Sequence, residues 1–189
     1  MNFVFDLGGV VFDEKNGATM RPLKEQVSDG TFSFLWANLL LGRFKMTDVI
    51  YGNGIKVDMT SYEFYEENLP AFPEVVDAIR KLQQNGHRIY IVSNATDAMK
   101  NYAEEFFARN GIKNVKFFFS CDMHLMKPDV EIFEEMGVST CLKWAHWGQT
   151  IYFDDKEKNC LAAYETLNSC TTVLVKTPQD ILDAVQKWL

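Results

Sequence analysis

Four stretches of the sequence could carry chemistry, three of them directly behind apolar runs and one, after a third run, just ahead of a helix. Asp6 follows Asn2 to Phe5 and is itself followed by Leu-Gly-Gly, a carboxylate ahead of residues that let the backbone turn sharply and approach a ligand. Ser93 and Asn94 follow Arg88 to Val92 and precede a helical stretch, where a hydroxyl and free helix amides make a ready anion site. Lys127 lies in Met-Lys-Pro-Asp, ahead of a helix that should start near Pro128 or Asp129, and could hold a phosphate and neutralise a neighbouring carboxylate. Asp154 and Asp155 stand side by side behind Thr150 to Phe153; adjacent carboxylates repel unless a cation lies between them, and oxygen-only ligands select magnesium. Each stretch also has a plainer reading: a turn at Asp6, a helix cap at Ser93, Asn94 or Thr96, a surface lysine, an acidic helix start. Taken in order they supply a nucleophile, an anion holder, a charge neutraliser and a metal seat.

The elements needed to bring them together are legible. β-rich runs occur at Asn2 to Phe5, Arg88 to Val92, Val115 to Phe119, Thr150 to Phe153 and Thr172 to Val175. Helical spacing separates most of them: Val75, Val76, Ile79 and Leu82; Ala98, Tyr102, Phe106 and Phe107; Leu161, Tyr164 and Leu167; Ile181, Leu182, Val185 and Trp188. Continuous apolar strands alternating with helices predict an α/β fold, a doubly wound parallel sheet of Rossmann-like type covered on both faces. Ligands of such a sheet bind beyond the C-terminal ends of its strands. The alternation breaks between Glu14 and Pro70, a long helix-patterned segment with an apolar face of Phe32, Leu35, Trp36, Leu39 and Leu40, and with a loop expected from Ile50 to Val57. The expected division is a core of residues 1–13 and 71–189 and an inserted helical cap of residues 14–70, hinged near residues 14 and 71.

Composition narrows the partners. The 189 residues are 47% apolar, enough for one sizeable core. Nineteen basic against twenty-six acidic residues, a net charge of −7, speak against nucleic acid or an anionic membrane as the main partner. A metal and a local lysine can still reverse the field for an anionic substrate. No secretory segment is visible, and no apolar stretch approaches the roughly 20 residues of a membrane helix, so a cytoplasmic protein is expected. Cys121, Cys141, Cys160 and Cys170 fit no zinc or redox spacing, and His87, His124 and His146 are scattered. Oligomeric state is not written in the sequence.

With these motifs in this order, the chain resembles the haloacid-dehalogenase-like (HAD) superfamily over essentially its full length. It is most similar to the branch with a small helical cap, and within it to bacterial sugar-phosphate phosphatases whose first motif reads Asp-Leu-Gly; Phe-Asp-Asp followed by Asn159 suits the same group. The resemblance implies a magnesium-dependent phosphatase acting on a small phosphorylated metabolite through an aspartyl-phosphate. Asp6 would attack phosphorus. Its carboxylate, the Gly8 carbonyl and Asp155 would hold magnesium, with Asp154 in or next to that shell. Ser93, Asn94 and Lys127 would bind phosphoryl oxygens, as would the turn at Gly9. The usual pattern has a second aspartate two residues after the nucleophile as general acid and base, and here that residue is Gly8. Asp13 and Glu14 follow soon after, and neither is placed at the leaving group by sequence.

Gly8 motivates the alternative of a non-catalytic or weakly active binding or regulatory protein on the same fold. A 2-haloacid dehalogenase would share the aspartate nucleophile but has no use for the Asp154–Asp155 pair. A phosphomutase would need the absent second carboxylate.

Overall fold

The structure, a computed structural model, describes residues 1–14, 17–140, 150–167 and 170–189. Five short strands form the sheet: β1 (Asn2–Phe5), β2 (Arg88–Ser93), β3 (Lys116–Phe119), β4 (Thr150–Asp154) and β5 (Thr171–Leu174). All pair in parallel, in the order β3-β2-β1-β4-β5. The chain builds outward from β1 through β2 to β3, then crosses to the other side of β1 for β4 and β5. The switch point therefore lies between β1 and β4, where Phe5 is in register with Phe153. Asp6, just past β1, and Asp154–Asp155, at the end of β4, are brought together by that register.

Side chains alternate across the sheet. Phe3, Phe5, Ile89, Ile91, Ile151 and Phe153 join the larger core cluster on one face. Val4, Tyr90, Val92 and Tyr152 join the smaller cluster on the other. The larger cluster is closed by α5 (Pro73–Gln84), α6 (Asp97–Arg109) and α10 (Pro178–Val185), and the smaller by α8 (Val130–Ser139) and α9 (Glu157–Thr166).

Helix α9 departs from its expected stripe. Leu161 and Tyr164 are 55% and 61% exposed, whereas Asn159, Cys160, Ala162, Ala163 and Leu167 face inward. The buried line is shifted because Asn159 must reach the tip of β4, and the small Cys160, Ala162 and Ala163 side chains are what can lie close to the sheet. Cys141 and His146, considered above as potential ligands, lie outside the described residues. Among the described residues no helix is long and apolar enough to cross a membrane.

Between β1 and α5 the described residues form helices and no strand of the sheet: α1 (Arg21–Lys24), α2 (Asp29–Leu40), α3 (Met46–Gly52) and α4 (Tyr62–Asn68). Ile50 to Gly52, expected in a loop, close α3 instead, and Asn53 caps them through its side-chain amide on the Val49 carbonyl (2.8 Å). The entry and exit of this segment are zipped together: Asp13 N–H donates to the Pro70 carbonyl (2.7 Å) and Phe72 N–H to the Val11 carbonyl (2.9 Å). Further on, Met46 N–H donates to Asp97 (3.0 Å), and the Ser120 hydroxyl, in α7 (Ser120–Met123), donates to the Leu40 carbonyl (2.6 Å).

Candidate functional site

The turn after β1 is tight. The Leu7 carbonyl accepts from the N–H groups of Val10 (3.2 Å), Val11 (2.8 Å) and Phe12 (2.9 Å), and Gly9 N–H donates to the Phe12 carbonyl (2.8 Å). Gly9, expected at a phosphate, thus has its N–H engaged within the turn. Its function is steric. At φ +72° a Cβ would lie 2.9 Å from Asp155 Cγ, so glycine is what admits that carboxylate beside the turn.

Asp6 is buried, and its carboxylate accepts from Leu7 N–H (2.7 Å) and meets Lys127 Nζ at 2.9 Å. Burial raises its pKa to about 6; Lys127 opposes that rise, Asp154 adds to it, and hydrogen bonds from Lys127 and Ser93 oppose it. Ser93, at the tip of β2, is therefore beside Asp6. The helix-cap role falls to Thr96, whose hydroxyl accepts from Met99 N–H (3.2 Å), leaving Ser93 and Asn94 outside the helix start.

Asn94 is tied to Lys127. Its side-chain amide donates to the Lys127 carbonyl (2.9 Å) and accepts from Lys127 N–H (2.8 Å). This reciprocal clamp engages the side chain with the backbone of Lys127, so Asn94 positions the lysine rather than reaching for a phosphate with that amide. Lys127 itself is buried and bridges Asp6 and Asp154, the latter at 2.7 Å.

Asp154 and Asp155 diverge. Asp154 Oδ2 accepts from Lys127, from the Tyr152 hydroxyl and from Asn159 (3.1 Å), and Oδ1 accepts from Lys156 N–H (2.9 Å) and Asn159 (2.9 Å). Burial pushes this carboxyl up, but the Lys127 charge and the donated hydrogen bonds outweigh it and hold the pKa below the usual value. Asp155 has a buried Oδ1 with no hydrogen-bond partner, and its nearest cation, Lys156 Nζ, is 3.8 Å away. Burial raises its pKa, with Lys156 opposing and Asp154 reinforcing. Asp6, Asp154 and Asp155 each offer a carboxylate oxygen within 4.8 Å of the others.

Asp6 opens onto a cleft of about 30 Å³, room for little more than an ion or a water or two. Asp6, Gly8, Ser93, Asn94 and Lys127 form one side; Glu14, Lys156, Asn159 and Met99 complete it. Of the two carboxylates left open by sequence, Glu14 is in the cleft and Asp13 is not part of its lining. Burial raises the Glu14 pKa, with Lys156 opposing and Asp155 reinforcing. Tyr152 and Lys156 escaped the sequence reading. A signal existed for Tyr152: it precedes Asp154 by two on one strand and so shares its face. A groove of about 380 Å³ between α5 and α10 holds none of these groups.

No protein-family model matches the chain. Among solved structures, it is similar to the HAD family enzyme BT-2542 of Bacteroides thetaiotaomicron in its magnesium complex, with 21% identity over 96% of this chain and 97% of that one and a TM-score of 0.74. It is similar also to a predicted HAD-like family hydrolase from Porphyromonas gingivalis (21% identity, 98% and 96% covered, TM-score 0.73). A HAD phosphatase from Thermococcus onnurineus matches at 14% identity, with 97% of each chain covered and a TM-score of 0.61. The chain thus has the haloacid-dehalogenase-like fold.

Proposed function

We propose that this protein is a magnesium-dependent phosphohydrolase that cleaves a small phosphorylated metabolite, a sugar phosphate among the candidates, through an aspartyl-phosphate on Asp6. The observation that carries the reading is the convergence of Asp6, Asp154 and Asp155, whose carboxylate oxygens lie within 4.8 Å of one another while the buried Oδ1 of Asp155 makes no hydrogen bond, a grouping that a cation would satisfy. The donors fit magnesium: they are carboxylate oxygens, hard and charged, with no thiolate or imidazole among them. Asp6 and Asp155 would hold it with the Gly8 carbonyl, and Asp154 would stand behind them, both its oxygens already bonded. When bound, magnesium supplies positive charge to the phosphoryl oxygens.

The protein groups divide the rest. Asp6 is held by Leu7 N–H and Lys127, and it forms a bond to phosphorus as the bond to the leaving oxygen breaks. Lys127 and Ser93 flank Asp6 and offer donors to the phosphoryl oxygens, whose equatorial charge grows in the transition state. Asn94 fixes Lys127 through both of its backbone groups. Water then attacks the aspartyl-phosphate and releases inorganic phosphate. The similar Bacteroides enzyme has been crystallised with magnesium and inorganic phosphate, which supports the same ligands here.

Phosphate release from an aryl phosphate, with magnesium or with excess chelator, tests the reading; a phosphometabolite panel then finds the substrate. Activity should need magnesium and vanish in Asp6→Asn. Full turnover in chelator, or halide release from a haloacid without magnesium, would refute it.

A further inference from the structure

Breaking a phosphate ester leaves negative charge on the departing oxygen, and a side chain that can deliver a proton there is the missing part of the site described above. Position 8 has no side chain to offer. The space above it is nevertheless filled. A Cβ built on Gly8 would come within 3.1 Å of Glu14 Cδ and 3.3 Å of both Glu14 oxygens. Gly8 is not among the glycines with positive φ, so the backbone there would accept a side chain; it is the Glu14 carboxyl that stands in the way. Glu14 lines the same cleft as Asp6, Ser93 and Lys127. The other carboxyls are accounted for: Asp6 is the nucleophile, both oxygens of Asp154 are bonded, and Asp155 turns its bare oxygen toward the cation seat.

We propose that Glu14, reaching back over Gly8 from six residues along the turn, is the general acid and base of the reaction. This rests on the phosphohydrolase reading. In the first step an oxygen of Asp6 bonds to phosphorus, the bond from phosphorus to the leaving oxygen breaks, and the Glu14 proton passes to that oxygen. In the second, water bonds to phosphorus, the bond to Asp6 breaks, and a water proton passes to the Glu14 carboxylate. The alcohol and inorganic phosphate depart, and Asp6 and Glu14 return to their starting states. Glycine at position 8 then suits Glu14: a side chain there would press on the carboxyl that does the work.

The test compares leaving groups. Rates for an alkyl phosphate and for a dinitrophenyl phosphate, whose leaving group needs no proton, are measured in wild type and in the near-isosteric Glu14→Gln variant, together with magnesium affinity by calorimetry. Glu14→Gln should lose about 10²- to 10⁴-fold on the alkyl ester and less than about tenfold on the activated one. Magnesium affinity should be unchanged. Gly8→Asp combined with Glu14→Ala should recover alkyl phosphate hydrolysis relative to Glu14→Ala alone, since removing the Glu14 carboxyl vacates the space the new side chain needs. An unchanged dependence on leaving group in Glu14→Gln overturns the proposal, and so does weakened magnesium binding with that dependence intact, which would make Glu14 a metal ligand. Those results leave the phosphohydrolase reading standing, because wild type would still hydrolyse the activated ester with magnesium. Absence of that wild-type activity would overturn both.

Discussion

The floor of the cleft and its rim are built on opposite principles. On the floor, Asp154, Lys127, Tyr152, Asn159 and Asn94 hydrogen-bond within one network, with a neutral amide oxygen of Asn159 left over, and both oxygens of the Asp154 carboxylate are satisfied. On the rim, Asp155 leaves a buried oxygen bare, and Glu14 and Lys156 stand over it without a comparable network. Asp154 and Asp155 are chain neighbours, yet one belongs to each region. A satisfied carboxylate orients its neighbours; an unsatisfied one is available to a ligand. The sheet explains the split, since successive residues leaving β4 point to opposite sides.

The sharpest way to break the comparison is at Asp6, which touches both regions. Asp6→Asn should reduce turnover on the order of 10⁴-fold or more while the circular dichroism spectrum stays native. A variant that turns over normally would remove Asp6 as the nucleophile. Next is the floor itself. Lys127→Met leaves Asp6 and Asp154 buried without their shared cation, and should cost about 3–5 kcal/mol in a denaturant titration. A loss below about 1 kcal/mol would mean that the floor is not the rigid half.

The pH dependence of Asp6 comes third. Its carboxyl titrates near 6 in the folded protein and near 3.8 unfolded, so between those values the unfolded chain has already lost its proton. Stability therefore falls as pH rises across that window, and the penalty is constant above it. In chelator, Asp6→Asn should be more stable than wild type by up to about 3 kcal/mol at pH 8, with the gap closing as pH falls toward 4. A gap that does not depend on pH would contradict the burial argument.

The smallest effect on stability belongs to the rim. Asp155→Asn should shift the stability of the magnesium-free protein by less than about 1 kcal/mol, whereas Asp154→Asn should cost more by placing a donor among donors. Calorimetric titration should rank them the other way for magnesium, with Asp155→Asn weakening binding more than Asp154→Asn. Equal losses of affinity would erase the division between floor and rim.

Much of the floor could be read from sequence, because its residues sit at the ends of apolar runs and a parallel sheet gathers such ends at one edge. Asp6, Ser93 and Asp154 follow that rule, and Lys127, well past the end of β3, is marked instead by the helix start that follows it. The rim does not. Glu14 reaches the cleft through the particular turn from Leu7 to Phe12, whose hydrogen bonds no periodicity announces, and Asp13 beside it was an equal candidate. At Asn94, residue type showed an amide near an anion site but not the lysine backbone that engages it. The stripe of α9 failed for a related reason: Leu161 and Tyr164 are the bulkiest apolar residues in their turns, while the sheet selects the small ones that allow close approach. The order of strands, in contrast, followed from none of these patterns and rests on tertiary pairing.

That strand order bears on synthesis as well as on catalysis. β1 is made before the other four strands, and it gains its second neighbour only when β4, beginning at Thr150, is complete. A nascent or truncated chain that stops before Thr150 can pair β1 with β2 but leaves its other side open, a row of unmatched amides and carbonyls on a strand that carries Phe3, Val4 and Phe5. Open apolar edges of this kind recruit other chains. The strand that leads into Asp6 is thus also one through which an unfinished molecule is exposed to aggregation.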